Sequence, residues 1–127
     1  MQYVIAAGIG LVGGVASGLF GVGGGIVMVP AMIFLLSPPI RDIKQAIGTS
    51  LVVIIPTALM GAFKHYKPDP ALSNIHWPTA AWLAPTAIAG GYLGAWLVAR
   101  VPADDLKRAF GGFLVAVGGY LLFGPQK

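Results

Sequence analysis

Long apolar stretches that contain no carboxylate are the feature that most limits how this chain can fold. Four can be recognised, at residues 3–36, about 46–63, about 79–99 and about 106–123. A helix needs roughly 20 apolar residues to cross a hydrocarbon core of roughly 30 Å. Only 9% of the 127 residues are charged, against roughly a quarter in a soluble domain, so lipid must cover most of the surface. We predict an all-α integral membrane protein with one transmembrane domain over residues 1–127 and no soluble domain.

The charged residues are spread over the short connections between these stretches and their borders, where Lys107 and Arg108 adjoin the third connection. A nucleic-acid binder would gather its basic residues on one exposed face, so we expect no nucleic-acid partner. The first and third connections together hold five basic residues, against three in the second connection and the C-terminus. By this small margin of two, the positive-inside rule favours the first and third connections in the cytoplasm, so orientation is weakly specified. We expect a multi-pass protein of a bacterial or archaeal cell membrane, which in a two-membrane cell is the inner one.

The first apolar stretch is too long for one crossing. As a single straight helix its 34 residues would measure about 50 Å. It is interrupted by Gly21-Val22-Gly23-Gly24-Gly25, and each glycine in a helix interior costs about 1 kcal/mol relative to alanine. We therefore predict a helix over residues 3–20, a glycine elbow, and a shorter helix over residues 26–36. The shorter helix either crosses fully or folds back as half of a re-entrant hairpin.

The elbow, defined as residues 21–25, is the main candidate for a functional site. Successive backbone N–H groups in a glycine turn form a concave nest that attracts anions, and the helix that follows adds its free N–H groups and its positive dipole end. Broken helices whose N-termini point at an anion recur in secondary transporters. We expect substrate contacts from Gly21, Gly23, Gly24 and Gly25, with a hydroxyl donor from Ser17. If so, Gly24→Ala should leave a folded protein that no longer binds its anion.

Other glycines have a simpler interpretation. Gly10, Gly14 and Gly18 are spaced by four residues, as are Gly90 and Gly94, and small residues at this spacing let membrane helices pack closely. A second polar patch, Gly48-Thr49-Ser50, opens the second apolar stretch. Its hydroxyls either bond back to the preceding helical turn or contribute to binding. We keep Thr49 and Ser50 as binding candidates and Gly48 as a structural residue of the site.

The sequence contains no set of residues typical of an enzyme. No nucleophile–base pair is visible, and no Gly-Lys-Ser/Thr follows the glycines, which argues against nucleotide binding. His65 and His76 lack metal-ligand spacing. We expect no catalysis, no metal and no cofactor. With no Asp or Glu inside an apolar stretch, His65 is left as the candidate for proton coupling.

These residues resemble the TauE/SafE family of sulfite-exporter-like permeases. The resemblance rests first on Gly14, the run Ser-Gly-Leu-Phe-Gly-Val-Gly-Gly-Gly over residues 17–25, and Pro30, which we place as a structural residue of the site. It extends through Ala-Ile-Gly-Thr-Ser-Leu over residues 46–51, His65, and Ile-His-Trp over residues 75–77. The final matches are Gly90-Gly91 with Gly94 and Ala-Phe-Gly over residues 109–111. The similarity therefore covers nearly the whole chain.

The resemblance implies transport of a small sulfur-containing anion such as sulfite, an organosulfonate or thiosulfate. Family members are usually about twice as long, with two copies of this unit, each bearing a glycine elbow. We therefore expect a homodimer in the lipid bilayer, in which a second chain supplies the second elbow. The alternative is a non-transporting membrane subunit that assembles with a partner membrane protein.

Overall fold

Five helices make up the computed structural model, which describes residues 1–36, 40–69 and 71–125. They are α1 Gln2–Phe20, α2 Gly25–Leu35, α3 Ile43–His65, α4 Trp77–Arg100 and α5 Ala103–Phe123. Four are long and apolar enough to cross a membrane, and α2, with 11 residues, is shorter. No strand or soluble domain occurs in these ranges. The predicted all-α membrane fold, with its first segment broken at the glycines, is confirmed.

The helix ends follow from local sequence. Asp42 caps α3, accepting a 3.0 Å hydrogen bond from the Gln45 backbone N–H, and the Gln45 side chain accepts one from the Arg41 N–H. His76 caps α4 through Nδ1, which accepts from the Thr79 N–H at 3.3 Å. In α5, Asp104 and Asp105 lie in the first turn, where carboxylates interact favourably with the helix dipole.

The buried core surrounds α2. Helices α1, α2 and α3 pack against one another, and the most buried apolar side chains come from these helices and the residues just after α2. They are Ile9, Met28, Val29, Met32, Leu36, Ile43 and Ala46. Helix α2 folds back beside α1, so that residues near the start of α1 (Gln2, Tyr3) and beyond the end of α2 (Leu36, Ile40) line one cavity. The broken first segment is therefore a helical hairpin.

Helices α4 and α5 are covered far less than the first three. Neither contains a buried residue, and α4 has no extensive contact with another described helix. Helix α5 touches α3, with Ala103, Leu106 and Phe110 packed at the edge of the core. Most of the apolar surface of these two helices therefore faces lipid or another protein chain.

Candidate functional site

The elbow has the backbone conformation that its glycines favour. Gly21 ends α1 with φ of 65°, and its N–H donates to the Ser17 carbonyl at 2.8 Å. Gly23 and Gly24 have φ of 71° and 74°, in the left-handed region that glycine reaches without steric cost. The Gly24 carbonyl then accepts from the N–H groups of Val27 and Met28, at 3.1 and 2.8 Å. Helix α2 thus starts directly at the turn.

Most of the backbone amides at the elbow have no backbone acceptor. Apart from the tight turn at Gly23 and Gly24, the N–H groups of residues 22–26 make no backbone hydrogen bond within the described ranges. Buried backbone N–H groups are nearly always paired with protein or water, and Gly24 is buried while Gly23, Gly25 and Ile26 are half-buried. Consecutive backbone donors at such a turn, at the N-terminus of a helix, can accommodate an anion.

Ser17 adds an unused hydroxyl one helical turn before the elbow. Its side chain is only 7% exposed, and its Oγ makes no hydrogen bond with the described residues. Ser17 and Gly21 line a cavity of about 380 Å³ between α1 and α3, which we call the elbow cavity. Its other walls are Gly18, Leu19, Phe20, Ala58, Gly61, Ala62 and His65. Three of the predicted site residues, Ser17, Gly21 and His65, therefore share one cavity.

His65 lies at the exposed rim of the elbow cavity, at the last position of α3. Its Nδ1 is 3.5 Å from the Asn74 side-chain nitrogen, and its sequence neighbours include Lys64 and Lys67. No carboxylate lines the cavity. The rim of the elbow cavity is therefore polar and without negative charge.

Gly24 is packed against the backbone of α1. A Cβ atom built on Gly24 would lie 2.6 Å from the Gly13 carbonyl oxygen and 3.1 Å from Met28 Cε. Because backbone cannot move aside as a side-chain tip can, alanine would disturb the junction between α1 and α2. This geometry argues against the expectation that Gly24→Ala leaves the fold intact, because Gly24 packs on the backbone of α1.

Gly23 and Gly25 are packed against Ile54 of α3. Their hypothetical Cβ atoms would lie 3.2 and 3.3 Å from Ile54 side-chain carbons, and that of Gly25 would lie 3.8 Å from Ser50 Oγ. Ile54 is the central residue of the 23-residue α3. The elbow amides therefore lie at the level where α3 is halfway through its length, which is the middle of the membrane if α3 spans it.

The structure separates the hydroxyls of the second polar patch. Ser50 is buried, and its Oγ donates to the Ile47 carbonyl at 2.8 Å. This is the first of the two alternatives, a hydroxyl bonded to the preceding helical turn. Thr49 instead lines a second, apolar cavity of about 280 Å³ with Met28 and Met32. Gly48 is exposed, with open space around its Cα, and Pro30 lies inside α2. Thr49 therefore does not share the elbow cavity with Ser17.

Several residues that shape the site were not predicted. Met28 occupies the position where Gly13 would carry a Cβ, and Ile54 packs on Gly23 and Gly25. Neither residue could be identified from the sequence, because nothing distinguishes it from the many other apolar residues. Ala58, Gly61 and Ala62 line the cavity from α3. Their spacing of three and four residues places small side chains on one helical face, and this signal could have identified that wall.

Four apolar helices of crossing length, with a short helix folded back at a glycine elbow, define the class: a multi-pass integral membrane protein. The chain belongs to the sulfite exporter TauE/SafE family, whose model matches residues 6–127. The resemblance seen in the elbow motif is confirmed.

Curated relatives carry the same general name. A probable membrane transporter protein of Haemophilus influenzae is 30% identical over 125 residues, covering 94% of this chain and 45% of the relative. A second, of Methanocaldococcus jannaschii, is 31% identical, covering 89% and 42%, and a third, of Bacillus subtilis, is 32% identical, covering 96% and 42%. The chain spans less than half the length of these relatives. No solved structure matches it significantly.

Proposed function

We propose that this chain carries out secondary transport of a small anion across the membrane, with the elbow as the binding site. The observation that supports this most is the glycine turn, whose backbone amides open helix α2, together with the unpartnered hydroxyl of Ser17 one turn earlier. These backbone donors lie level with the middle of α3. There they favour a ligand that brings acceptor oxygens and negative charge. The names of the relatives, probable membrane transporters, agree with transport rather than catalysis.

The proposed substrate is a sulfur-containing anion such as sulfite, an organosulfonate or thiosulfate. The family is named for sulfite export. Such anions are pyramidal or tetrahedral at sulfur, and their oxygens can accept several N–H bonds at once. In this proposal Ser17, Gly21, Gly23, Gly24 and Gly25 contact the anion, and Gly24 also holds the turn against α1. Ser50 supports Gly25 from α3, and Thr49 serves the pathway through the neighbouring apolar cavity.

The transporting unit is proposed to be a homodimer, each chain contributing one transmembrane domain over residues 1–127. Two observations support a partner: the chain spans 42–45% of three of its relatives, and α4 and α5 have no buried residue. A second candidate function rests on the same exposed helices: a non-transporting subunit that assembles with a different membrane protein.

Flux measurements on purified protein in liposomes test the proposal. Sulfite, an organosulfonate, thiosulfate and chloride are compared, with empty liposomes as the control. We expect saturable flux of at least one sulfur-containing anion. Flux of none of the four above the control would contradict transport. Cross-linking in native membranes separates the two candidates, because a stable complex with another protein and no self-association favours the subunit.

A further inference from the structure

The two ends of the helical bundle can be assigned from shared surfaces. Arg41 and Asp42, before α3, line one depression with Asp104 and Lys107 of α5. The start of α1 and the end of α2 share the apolar cavity with Ile40, so they lie at this end too, which we call the Arg41 end. The opposite end, the His65 end, holds the close of α3, and Tyr66 packs edge-on against Trp77 of α4 at 6.2 Å.

These assignments fix the number of times the chain crosses. Helix α1 leaves the Arg41 end and α2 returns to it, so the hairpin contributes no net crossing, whether it turns inside the membrane or beyond it. Helices α3, α4 and α5 then each cross once. Although four helices are long enough to span, α2 brings the chain back, and the net number of crossings is odd. The two ends of the described chain therefore lie on opposite sides of the membrane.

The basic residues specify orientation weakly. The Arg41 end carries Arg41, Lys44, Arg100, Lys107 and Arg108, and the His65 end carries Lys64 and Lys67, with Lys127 following α5. The bias in Lys and Arg beside the membrane sets the orientation of a membrane protein, and here it is five against three. Three acidic residues, Asp42, Asp104 and Asp105, also lie at the more basic end, and one, Asp69, lies at the other.

We propose that this chain inserts in both orientations and that its functional partner is a second copy of itself, inverted in the membrane. The proposal rests on the homodimer proposed above and adds the orientation of its partner. A unit with an odd number of crossings ends on the opposite side of the membrane from its start. A second such unit that follows it directly is therefore inverted relative to the first. Relatives more than twice as long have room for such a second unit, and only an inverted copy reproduces that arrangement with separate chains.

An inverted pair has a consequence for the elbow. Its two-fold axis lies in the membrane plane, so structures at mid-depth stay at mid-depth while the two ends exchange. Gly23 and Gly25 contact Ile54 at the centre of α3, so both elbows stay at one level. The apolar cavity, which reaches Gln2 and Tyr3 at the Arg41 end, faces opposite sides of the membrane in the two copies. Access from both sides then follows from symmetry.

Cysteine labelling measures the orientation directly, because the chain contains no cysteine. Asp104→Cys reports the Arg41 end, and Asp69→Cys reports the His65 end. Intact cells are treated with a membrane-impermeant maleimide, and the labelled fraction is compared with that after lysis. We expect each site to be labelled from outside in roughly half of the molecules. Complete labelling of one site with none of the other would overturn the proposal.

Two variants with fixed orientation test the pairing. Lys64→Gln with Lys67→Gln strengthens the bias towards the Arg41 end. Arg41→Gln, Lys107→Gln and Arg108→Gln, combined with Leu72→Lys and Asn74→Lys, reverse it. We expect each variant alone to label from one side and to form no cross-linked dimer, and the two expressed together to restore the dimer. The matched control, Lys64→Arg with Lys67→Arg, keeps the native bias and should label as the unaltered chain does.

The outcomes distinguish this proposal from the proposed transport. Mixed labelling and restored dimers without anion flux would support the inverted pair and contradict transport. Flux from a chain with one orientation, or dimers formed by one fixed variant alone, would overturn the inverted pair and leave transport standing.

Discussion

At the residue scale, the hydroxyl of Ser17 is available for a ligand because its own helix does not use it. Ser50, Thr57 and Thr86 each donate to a carbonyl of the preceding turn, which satisfies a hydroxyl without a ligand. Ser17 Oγ makes no such bond, and the residue lines the elbow cavity. A hydroxyl that its own helix does not use can donate to a ligand in that cavity.

Replacing Ser17 should weaken anion binding without unfolding the protein. We expect Ser17→Ala to lose roughly 0.5–1.5 kcal/mol of binding free energy, the value of one neutral hydrogen bond, or about two- to twelve-fold in affinity. Anion affinity is measured by isothermal titration in detergent. Thr86→Val serves as the control, since that hydroxyl already bonds to its own helix. Equal affinities in both variants would remove Ser17 from the site.

Glycine substitutions at the elbow should affect stability unequally. Gly24→Ala places a Cβ against the Gly13 carbonyl and forces φ of 74° on alanine; a residue held in such a conformation costs about 1–3 kcal/mol. Gly18→Ala meets no atom within 4 Å and lies inside α1, so it should be tolerated. The measurement is thermal stability in detergent. A Gly24→Ala protein as stable as Gly18→Ala would contradict the packing role.

His65 is proposed as the group that couples anion movement to protons. An imidazole ring can both take up and release a proton, and His65 lies where the elbow cavity meets the surface. The groups around it are the Asn74 amide, Lys64 and Lys67. We expect His65→Gln to abolish a rise in flux at acidic pH. His76→Asn, which keeps an acceptor at the start of α4, should retain that rise; unchanged pH dependence in His65→Gln would exclude His65.

At the element scale, α2 is held between α1 and α3 by Met28. This side chain is 2% exposed and touches the Cβ positions of both Gly13 and Gly24. We expect Met28→Ala to destabilise the protein by about 2–5 kcal/mol, as for other buried methionines. Met60→Ala, at a position 69% exposed, should change stability little. Similar thermal midpoints for the two variants would contradict the central position of α2.

The sequence predicts the helices better than their contacts. The break near residues 21–25 was predictable because three adjacent glycines cannot sustain a helix, and α1 ends at Phe20, where the glycines begin. The contacts of Gly24 with Gly13 were not predictable, because they depend on how α2 folds back. For the same reason adjacent residues such as Thr49 and Ser50 end in different environments: a helix turns by about 100° per residue, and their neighbours are set by tertiary packing.

At the scale of the whole molecule, the packing is concentrated in one half of the chain. Helices α1, α2 and α3 form the core, while α4 and α5 expose large apolar side chains such as Trp82, Tyr92 and Phe123. Lipid can cover such surfaces, but helices in membranes also associate through close packing and small residues. Gly90, Gly94, Gly111 and Gly112 have open space around them, which leaves room for a second chain.

The central claim is that an anion crosses the membrane by way of the elbow cavity, and blocking that cavity tests it most directly. Gly61→Leu adds a side chain where the cavity wall has open space, and Met60→Leu changes the neighbouring exposed residue as a control. Sulfite counterflow is measured in liposomes that contain equal amounts of dimer. We predict that the unaltered protein and Met60→Leu transport equally, and that Gly61→Leu falls to the level of empty liposomes. Normal counterflow in Gly61→Leu would contradict a pathway through the elbow cavity.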